Sequence, residues 1–128
     1  MNINKYIGIP YKRGGTKLDG LDCWGLLIHV LKHDFGIDVD VDYYVEGDLP
    51  CVARAYETAS KDANWERIEY PIDGCVVALS KGKKIHHAGV WYGNGCLHAV
   101  KGQGVICSTV NSLKLNNYKR MEFYKWRQ

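Results

Sequence analysis

The stretch "LDGLDCWGLLIHVLKHDFG", residues 18–36, decides the fold, because it predicts one amphipathic helix with a cysteine at its start. After the two aspartates, apolar side chains recur three or four positions apart, which is the spacing of one buried helix face. We predict a helix from about residue 22 to residue 35 that ends at Gly36, a favourable C-cap residue. The apolar face contains Cys23 in the first turn, followed by Leu26, Leu27, Val30 and Leu31.

Cys23 allows two interpretations at this position. Most free cysteines behave as small, inert, buried hydrophobic groups. The N-terminus of a helix also favours a thiolate, so the same position suits a nucleophile. The helix alone therefore does not distinguish a packing residue from a reactive one.

Length and composition predict a single globular domain over residues 1–128. The net charge of +3 is too small to indicate nucleic-acid binding, and no apolar run approaches a membrane span. The opening "MNINKYIGIPYKRGG" lacks the apolar segment of a secretory signal, so we expect synthesis in the cytoplasm. The five cysteines form no C-x-x-C pair, which disfavours a disulfide framework or a structural zinc site.

The second half of the chain predicts an antiparallel sheet, with short apolar runs separated by Gly, Asn or Lys. A second helix is expected after Pro50, with its apolar face formed by Val52, Ala53, Tyr56 and Ala59. Residues 1–10 predict a short helix or lead-in, and residues 11–20 a Gly-rich loop. Helices followed by a sheet predict an α+β fold. The predicted strands are "CVVALS" (75–80), "IHHAGVWYG" (85–93), "GCLHAVKG" (95–102), "GVICSTV" (104–110) and "YKRMEFYKW" (118–126).

The five histidines divide between the first helix and the strand region. His29 and His33 lie on the helix and are expected at its surface. The stretch "KIHHAGVWYGNGCLHAV" at 84–100 predicts a β-hairpin that contains His86, His87 and His98. Alternate strand residues share a face, so His87 and its neighbour His86 point in opposite directions.

The turn of this hairpin decides whether His87 and His98 meet. An Asn94-Gly95 turn would separate them along one face by roughly 13 Å at the rise of a strand. A three-residue loop would send His98 to the opposite face. A type II′ turn at Gly93-Asn94 would place Gly89 opposite His98 and leave the imidazoles in reach, with roughly 6–8 Å between Cβ atoms. We predict the Gly93-Asn94 turn, because a glycine at 89 leaves room for a facing ring.

The residues that carry chemistry match a known family pattern. They are "GIPYKRGG" and "LDGLDCWGLL" within 8–27, and "HAGVWYGNGCLHA" at 87–99. Together they resemble the NlpC/P60 family of cysteine peptidases, whose pattern is aromatic-Gly-Gly, Asp-Cys-Ser-Gly, His-Val-Gly-Ile-Tyr and a final His. The variant Asp-Cys-Trp-Gly-Leu is similar to the branch found among bacteriophage tail proteins.

The resemblance implies a Cys-His-His catalytic triad. Cys23 matches the nucleophile, His87 the general base and His98 the third, orienting residue. The thiol would attack a carbonyl carbon while His87 takes its proton and later protonates the leaving amine. Loss of activity in Cys23→Ala and in His87→Ala is therefore expected. His86 is expected to be structural or at the surface.

Three further residues are implied in oxyanion stabilisation or substrate binding. Tyr11 matches a tyrosine near the oxyanion, although it also suits a core aromatic residue. Asp22 is placed to bind a substrate amine, although its carboxylate equally suits the helix N-cap. Trp24 replaces the small serine of the family, so we expect the pocket beside the nucleophile to be lined differently.

The resemblance implies a papain-like α+β fold, with N-terminal helices packed on a C-terminal antiparallel sheet. It also implies hydrolysis of peptidoglycan stem peptides, between D-glutamate and the following diamino acid, with no metal or cofactor. A phage-tail protein would be made in the bacterial cytoplasm and would act in the virion tail or at the cell wall, beside other tail proteins. Three alternatives stay open: a non-catalytic tail component, a thiol amidase or acyltransferase on another substrate, and a zinc site at Cys23, His87 and His98.

Overall fold

The computed structural model describes residues 2–39, Tyr56 and residues 61–127. Within these residues the first half contains a 3₁₀ turn, Ile3–Lys5, and one long helix, and the second half is mostly strands. The predicted helix after Pro50 lies outside the described residues, except for Tyr56, which is helical. The elements are β1 (Thr16–Lys17), β2 (Gly20–Leu21), α1 (Cys23–Phe35), β3 (Trp65–Ile68), β4 (Val76–Ser80), β5 (His87–Tyr92), β6 (Gly95–Val100), β7 (Gly104–Ser108), α2 (Val110–Leu115) and β8 (Arg120–Trp126).

Helix α1 forms where the periodicity predicts it. Asp22 is its N-cap, and its carboxylate accepts the N–H of Gly25 at 2.7 Å, satisfying a donor that has no partner within the helix. Gly36 adopts the left-handed conformation at a φ of 68° and donates its N–H to Leu31, which ends the helix. Both predicted boundaries of this helix are confirmed.

The main sheet has six antiparallel strands in the order β3-β8-β4-β5-β6-β7. One face packs on α1, and the opposite face packs on α2. Alternation along each strand supplies the two sets of buried residues. The α1 side contains Val90, Leu97, Ala99 and Val105 with Leu26, Leu27, Val30 and Leu31. The α2 side contains Cys75, Val77, Leu79, Trp91 and Cys96 with Leu113.

Three regions differ from the predictions. The predicted Gly-rich loop at 11–20 includes most of the β1–β2 hairpin, which ends at Leu21, and the four-residue strand β3 was not expected. The predicted strand at 104–110 ends at Ser108, because the Thr109 side chain accepts the N–H of Ser112 and begins helix α2. A local side-chain cap thus overrides the β-branched pattern of this run.

The Gly-rich loop packs directly on the first turn of α1. Gly25 has no room for a side chain, because a Cβ there would lie 2.1 Å from the carbonyl oxygen of Gly15. The same loop is fastened to the helix by the Asp22 N–H, which donates to that oxygen at 3.2 Å. The contact between Gly15 and Gly25 therefore fixes where Cys23 stands.

Replacing Gly25 with alanine should destabilise the fold by on the order of 3 kcal/mol, because backbone atoms must separate to admit the methyl group. Urea unfolding followed by circular dichroism would measure the loss. Gly82→Ala is the matched control, since a Cβ at Gly82 meets nothing within 4 Å. Equal unfolding midpoints for the two variants would contradict the close packing described here.

Candidate active site

The β5–β6 hairpin has the predicted register. Tyr92 pairs with Gly95 and Val90 with Leu97, so the turn residues are Gly93 and Asn94. Gly93 has a φ of 63°, whereas Asn94 is outside the left-handed region. A type I′ turn needs positive φ at both central residues, and the structure therefore excludes it. This register places residue 89 opposite residue 98.

Gly89 makes room for the facing histidine, as expected. A Cβ on Gly89 would lie 2.5 Å from the Cys96 sulfur and 3.0 Å from the His98 Cβ. In the space that the glycine leaves, Nε2 of His87 and Nδ1 of His98 form a hydrogen bond of 2.8 Å. Both rings are buried, at 9% and 2% exposed. The two candidate catalytic histidines thus form one buried, hydrogen-bonded pair.

The histidine pair continues to a hydroxyl group. Nε2 of His98 lies 2.8 Å from the Oγ of Ser108, the last residue of β7. Ser108 is itself buried, at 6% exposed. The sequence analysis missed this residue, since a serine at the end of a strand carries no signal of its own. Only the pairing of β6 with β7 brings it beside His98.

Cys23 is the first residue of α1, and its sulfur lies against β5. Burial, followed by the charge of the Asp22 carboxylate, raises the pKa of the Cys23 thiol to about 12. Backbone hydrogen bonds from Ala88, Trp24 and Cys23 itself act in the opposite direction and lower the pKa. At neutral pH the thiol therefore keeps its proton and needs a base to remove it.

His87 is the base that the geometry offers. The backbone of Ala88, which directly follows His87, hydrogen-bonds to the Cys23 sulfur, so the thiol lies near the start of β5. Nε2 of His87 is engaged with His98, which leaves Nδ1 as the candidate acceptor for the thiol proton. Burial, followed by the charges of His98, His86 and Lys81, lowers the pKa of His87 to about 3. The ring is therefore neutral at pH 7, as a general base must be.

The neighbouring His86 has a different role. It is exposed, and its Nε2 accepts the backbone N–H of Lys81 at 3.0 Å within the β4–β5 turn. This contact explains why His87 rather than His86 forms the buried pair. On α1, His33 is exposed and His29 is half-buried. Their ring centroids are 4.3 Å apart, and neither ring belongs to the His87–His98 pair.

Tyr11 lies near Cys23, the candidate nucleophile. It is half-buried and forms an isolated bridge with Leu21, just before Cys23. Burial raises the pKa of Tyr11, followed by the charges of Cys23 and Asp22. The structure therefore brings the predicted oxyanion residue within electrostatic reach of the thiol.

Asp22 and Trp24 have structural contacts on either side of Cys23. One carboxylate oxygen of Asp22 caps α1 through Gly25, and the other accepts the N–H of Gly14 at 3.2 Å. Trp24 is 4% exposed and packs in the core on the α1 side of the sheet. Its Nε1 is buried and has no hydrogen-bond partner among the described residues. Binding of substrate by either side chain stays a prediction.

Tyr118 is a second residue that the sequence analysis missed. Its ring stacks on His87, with centroids 5.7 Å apart and planes at 16°. Asn117, at a φ of 71°, turns the chain after α2 and directs Tyr118 back to the site. The Lys81 ammonium lies 4.9 Å from the centroid of the Tyr118 ring. Tyr118 therefore packs as an aromatic neighbour against the ring of His87, the candidate base.

Acid should destabilise the fold through the two buried histidines. Burial lowers the pKa of His98 to about 4 and that of His87 to about 3, against an ordinary value of 6.5. Below pH 6.5 these histidines are protonated in the unfolded chain but stay neutral in the folded chain. The free energy of unfolding therefore falls as the pH falls toward 4. The slope should reach about 1.4 kcal/mol per pH unit for each histidine.

Urea unfolding at several values between pH 7.5 and pH 5 would measure this slope. His87→Gln should remove about half of the slope, because the buried His98 remains, whereas His33→Gln, which changes an exposed histidine, should leave the slope unchanged. A free energy of unfolding that stays constant over this range would contradict neutral burial of the pair.

Metal-ligating clusters and membrane-spanning helices are both absent from the described part of the chain. Across residues 2–39, Tyr56 and 61–127, no group of three or more His, Cys, Asp and Glu side chains is arranged to hold a metal ion. Both ring nitrogens of His98 are engaged in hydrogen bonds, so a zinc ion would have to displace one of these partners. Within the same part of the chain, none of the helices has the length and apolar character needed to cross a membrane.

Comparison with known proteins adds sequence evidence to this geometry. The sequence model of the NlpC/P60 family matches residues 8–121. The chain is 25% identical over 105 residues to the murein DD-endopeptidase MepS/murein LD-carboxypeptidase of Escherichia coli strain K12, covering 81% of this chain and 49% of that protein. It is 28% identical over 109 residues to the probable endopeptidase NlpC homolog of Haemophilus influenzae, covering 84% and 51%. The chain thus spans about half the length of these curated relatives.

A solved structure shares the fold. The crystal structure of the NlpC/p60 domain of peptidoglycan hydrolase SagA aligns with a TM-score of 0.61 and 22% sequence identity. The alignment covers 94% of this chain and 89% of that one. The predicted α+β fold with an antiparallel sheet is confirmed.

Proposed function

The chain belongs to the NlpC/P60 family, and from this premise we propose that it is a cysteine peptidase that hydrolyses amide bonds in peptidoglycan stem peptides. The observation that carries the proposal is the buried hydrogen bond between His87 and His98, next to a cysteine at a helix N-terminus. A packing role for these residues would not require two imidazoles to be desolvated and aligned. Names of the relatives from E. coli and H. influenzae support the substrate class.

The proposed reaction begins when Nδ1 of His87 takes the proton of the Cys23 thiol. The sulfur attacks the carbonyl carbon, and the oxyanion is stabilised by the Cys23 N–H and the Tyr11 hydroxyl. The intermediate collapses to a thioester, and His87 gives its proton to the leaving amine. His87 then removes a proton from a water molecule, whose oxygen attacks the thioester carbon. The C–S bond breaks, the carboxylic acid product leaves, and His87 returns the proton to the sulfur. His98 holds the His87 ring and stabilises its imidazolium form.

We place the scissile bond between D-glutamate and the following diamino acid. This assignment rests on the family resemblance and on Asp22, whose carboxylate lies beside the nucleophile and suits a substrate amine. The relative from E. coli is named for a different, DD-endopeptidase specificity, so the bond requires its own test.

A digest of defined muropeptides analysed by mass spectrometry would provide that test. We expect the wild type to release the L-alanyl-D-glutamate dipeptide from an uncross-linked tripeptide, and Cys23→Ala to release none. Cleavage confined to the cross-link between stem peptides would overturn the bond assignment but keep the enzyme class. Intact substrates after prolonged incubation would favour a non-catalytic tail component.

The proposed setting is a bacteriophage tail, in which the protein would loosen the cell wall during infection or assembly. The support is the sequence Asp-Cys-Trp-Gly-Leu at 22–26, which is similar to the tail-associated branch of the family. Made in the bacterial cytoplasm, the protein would act in the virion tail or at the wall, beside other tail proteins.

A further inference from the structure

We propose that Ser108 is a positioning residue that fixes the tautomers of both histidines and so keeps Nδ1 of His87 free to accept the Cys23 proton. The inference rests on the proposed cysteine-peptidase function, and it adds a fourth residue to the predicted Cys-His-His set. The Oγ of Ser108 contacts the His98 ring. It acts through His98.

The physical basis is a chain of two short hydrogen bonds. His87 Nε2 lies 2.8 Å from His98 Nδ1, and His98 Nε2 lies 2.8 Å from the Ser108 Oγ. A neutral imidazole carries one N–H donor and one acceptor nitrogen. The direction of one hydrogen bond therefore dictates the direction of the other.

Only one direction supports the proposed chemistry. If Ser108 Oγ accepts the Nε2–H of His98, then His98 Nδ1 accepts the Nε2–H of His87, and His87 Nδ1 is an unprotonated base. If Ser108 instead donates, His98 donates from Nδ1, and His87 carries its proton on Nδ1. That second state cannot take a proton from the thiol at Nδ1. The hydroxyl must therefore act as an acceptor toward His98.

Burial makes the serine effective in this role. Ser108 is 6% exposed and His98 is 2% exposed, so bulk water does not replace a lost hydroxyl. The backbone around Ser108 is held on both sides, by pairing with Cys96 on β6 and by Thr109, the N-cap of α2. These contacts hold the Oγ at one place relative to the His98 ring.

The pair of variants Ser108→Thr and Ser108→Val isolates the hydroxyl, since threonine and valine have nearly the same shape. Nitrogen-15 NMR of the histidine rings in the folded protein near pH 7.5 reports which nitrogen carries each proton. We expect protons on Nε2 of both His87 and His98 in the wild type and in Ser108→Thr. In Ser108→Val we expect a mixture of tautomers, and kcat/KM on stem peptides roughly tenfold below that of Ser108→Thr, the size of one lost hydrogen bond.

Two results would overturn the inference. One is a wild-type His98 with its proton on Nδ1. The other is a Ser108→Val protein whose tautomers and kcat/KM equal those of Ser108→Thr. Thermal unfolding of both variants checks that the added methyl group is tolerated equally. Because the NMR measurement uses resting protein without substrate, it decides the tautomer question even if no stem peptide is cleaved, a result that would count against the proposed function alone.

Discussion

Cys23→Ala is expected to reduce hydrolysis of peptidoglycan stem peptides by roughly 10⁴-fold or more, because no thioester can form without the sulfur. Binding and oxyanion contacts alone leave only the residual rate that such sites show after loss of their nucleophile. The helix itself should persist, since its cap at Asp22 and its apolar face are untouched. Mass-spectrometric quantification of released peptides over time would measure the loss.

Cys75→Ala is the matched control for this prediction. Cys75 is a buried thiol, 1% exposed, in the core on the α2 side of the sheet. Its replacement removes the same atom from the interior without touching the candidate site. Undiminished hydrolysis by Cys23→Ala, or an equal loss in the two variants, would reject Cys23 as the nucleophile.

His87→Gln is expected to lower kcat by roughly 10³-fold or more, since the thiol keeps its proton when its neighbouring base is absent. Glutamine approximates the size of the ring, and its amide nitrogen is not basic. The loss should be in kcat rather than in KM, because the proposed role of His87 begins only after substrate binds. Steady-state kinetics on a purified stem peptide would separate the two constants.

The adjacent histidine supplies the control. His86→Gln changes an exposed side chain that accepts a backbone N–H within the β4–β5 turn, and it should leave kcat within about twofold of the wild type. A large effect of His86→Gln combined with a small effect of His87→Gln would reverse the assignment of the base.

Helix α1 and the pairing of His87 with His98 follow from local signals in the sequence. The apolar spacing between Cys23 and Leu31 and the glycine at 36 are enough to define α1, because both act within one or two helical turns. The hairpin register depends on the turn at Gly93-Asn94 and on the missing side chain of Gly89. Both signals lie inside a stretch of twelve residues, from His87 to His98.

The missed features depend on contacts that are distant in sequence or on local caps. Ser108 meets His98 only because β7 pairs beside β6. Tyr118 reaches His87 only after α2 has ended and Asn117 has reversed the chain in a left-handed conformation. The start of helix α2 follows a run of β-branched residues that predicts a strand. The side-chain cap at Thr109 ends that strand and begins the helix. No periodicity in the sequence encodes these arrangements.

The most direct test of the central claim, that His87 activates Cys23, is the rate of iodoacetamide labelling of each cysteine against pH. Peptide mass spectrometry of the wild type and of His87→Gln gives these rates for Cys23 and for the exposed Cys107, an internal reference. We expect Cys23 in the wild type to react much faster than Cys107 at pH 6, because neutral His87 takes the thiol proton as the sulfur attacks the reagent, and to lose that advantage in His87→Gln. A Cys23 that labels no faster than Cys107 and is indifferent to the substitution would contradict the account and identify Cys23 as a packing residue.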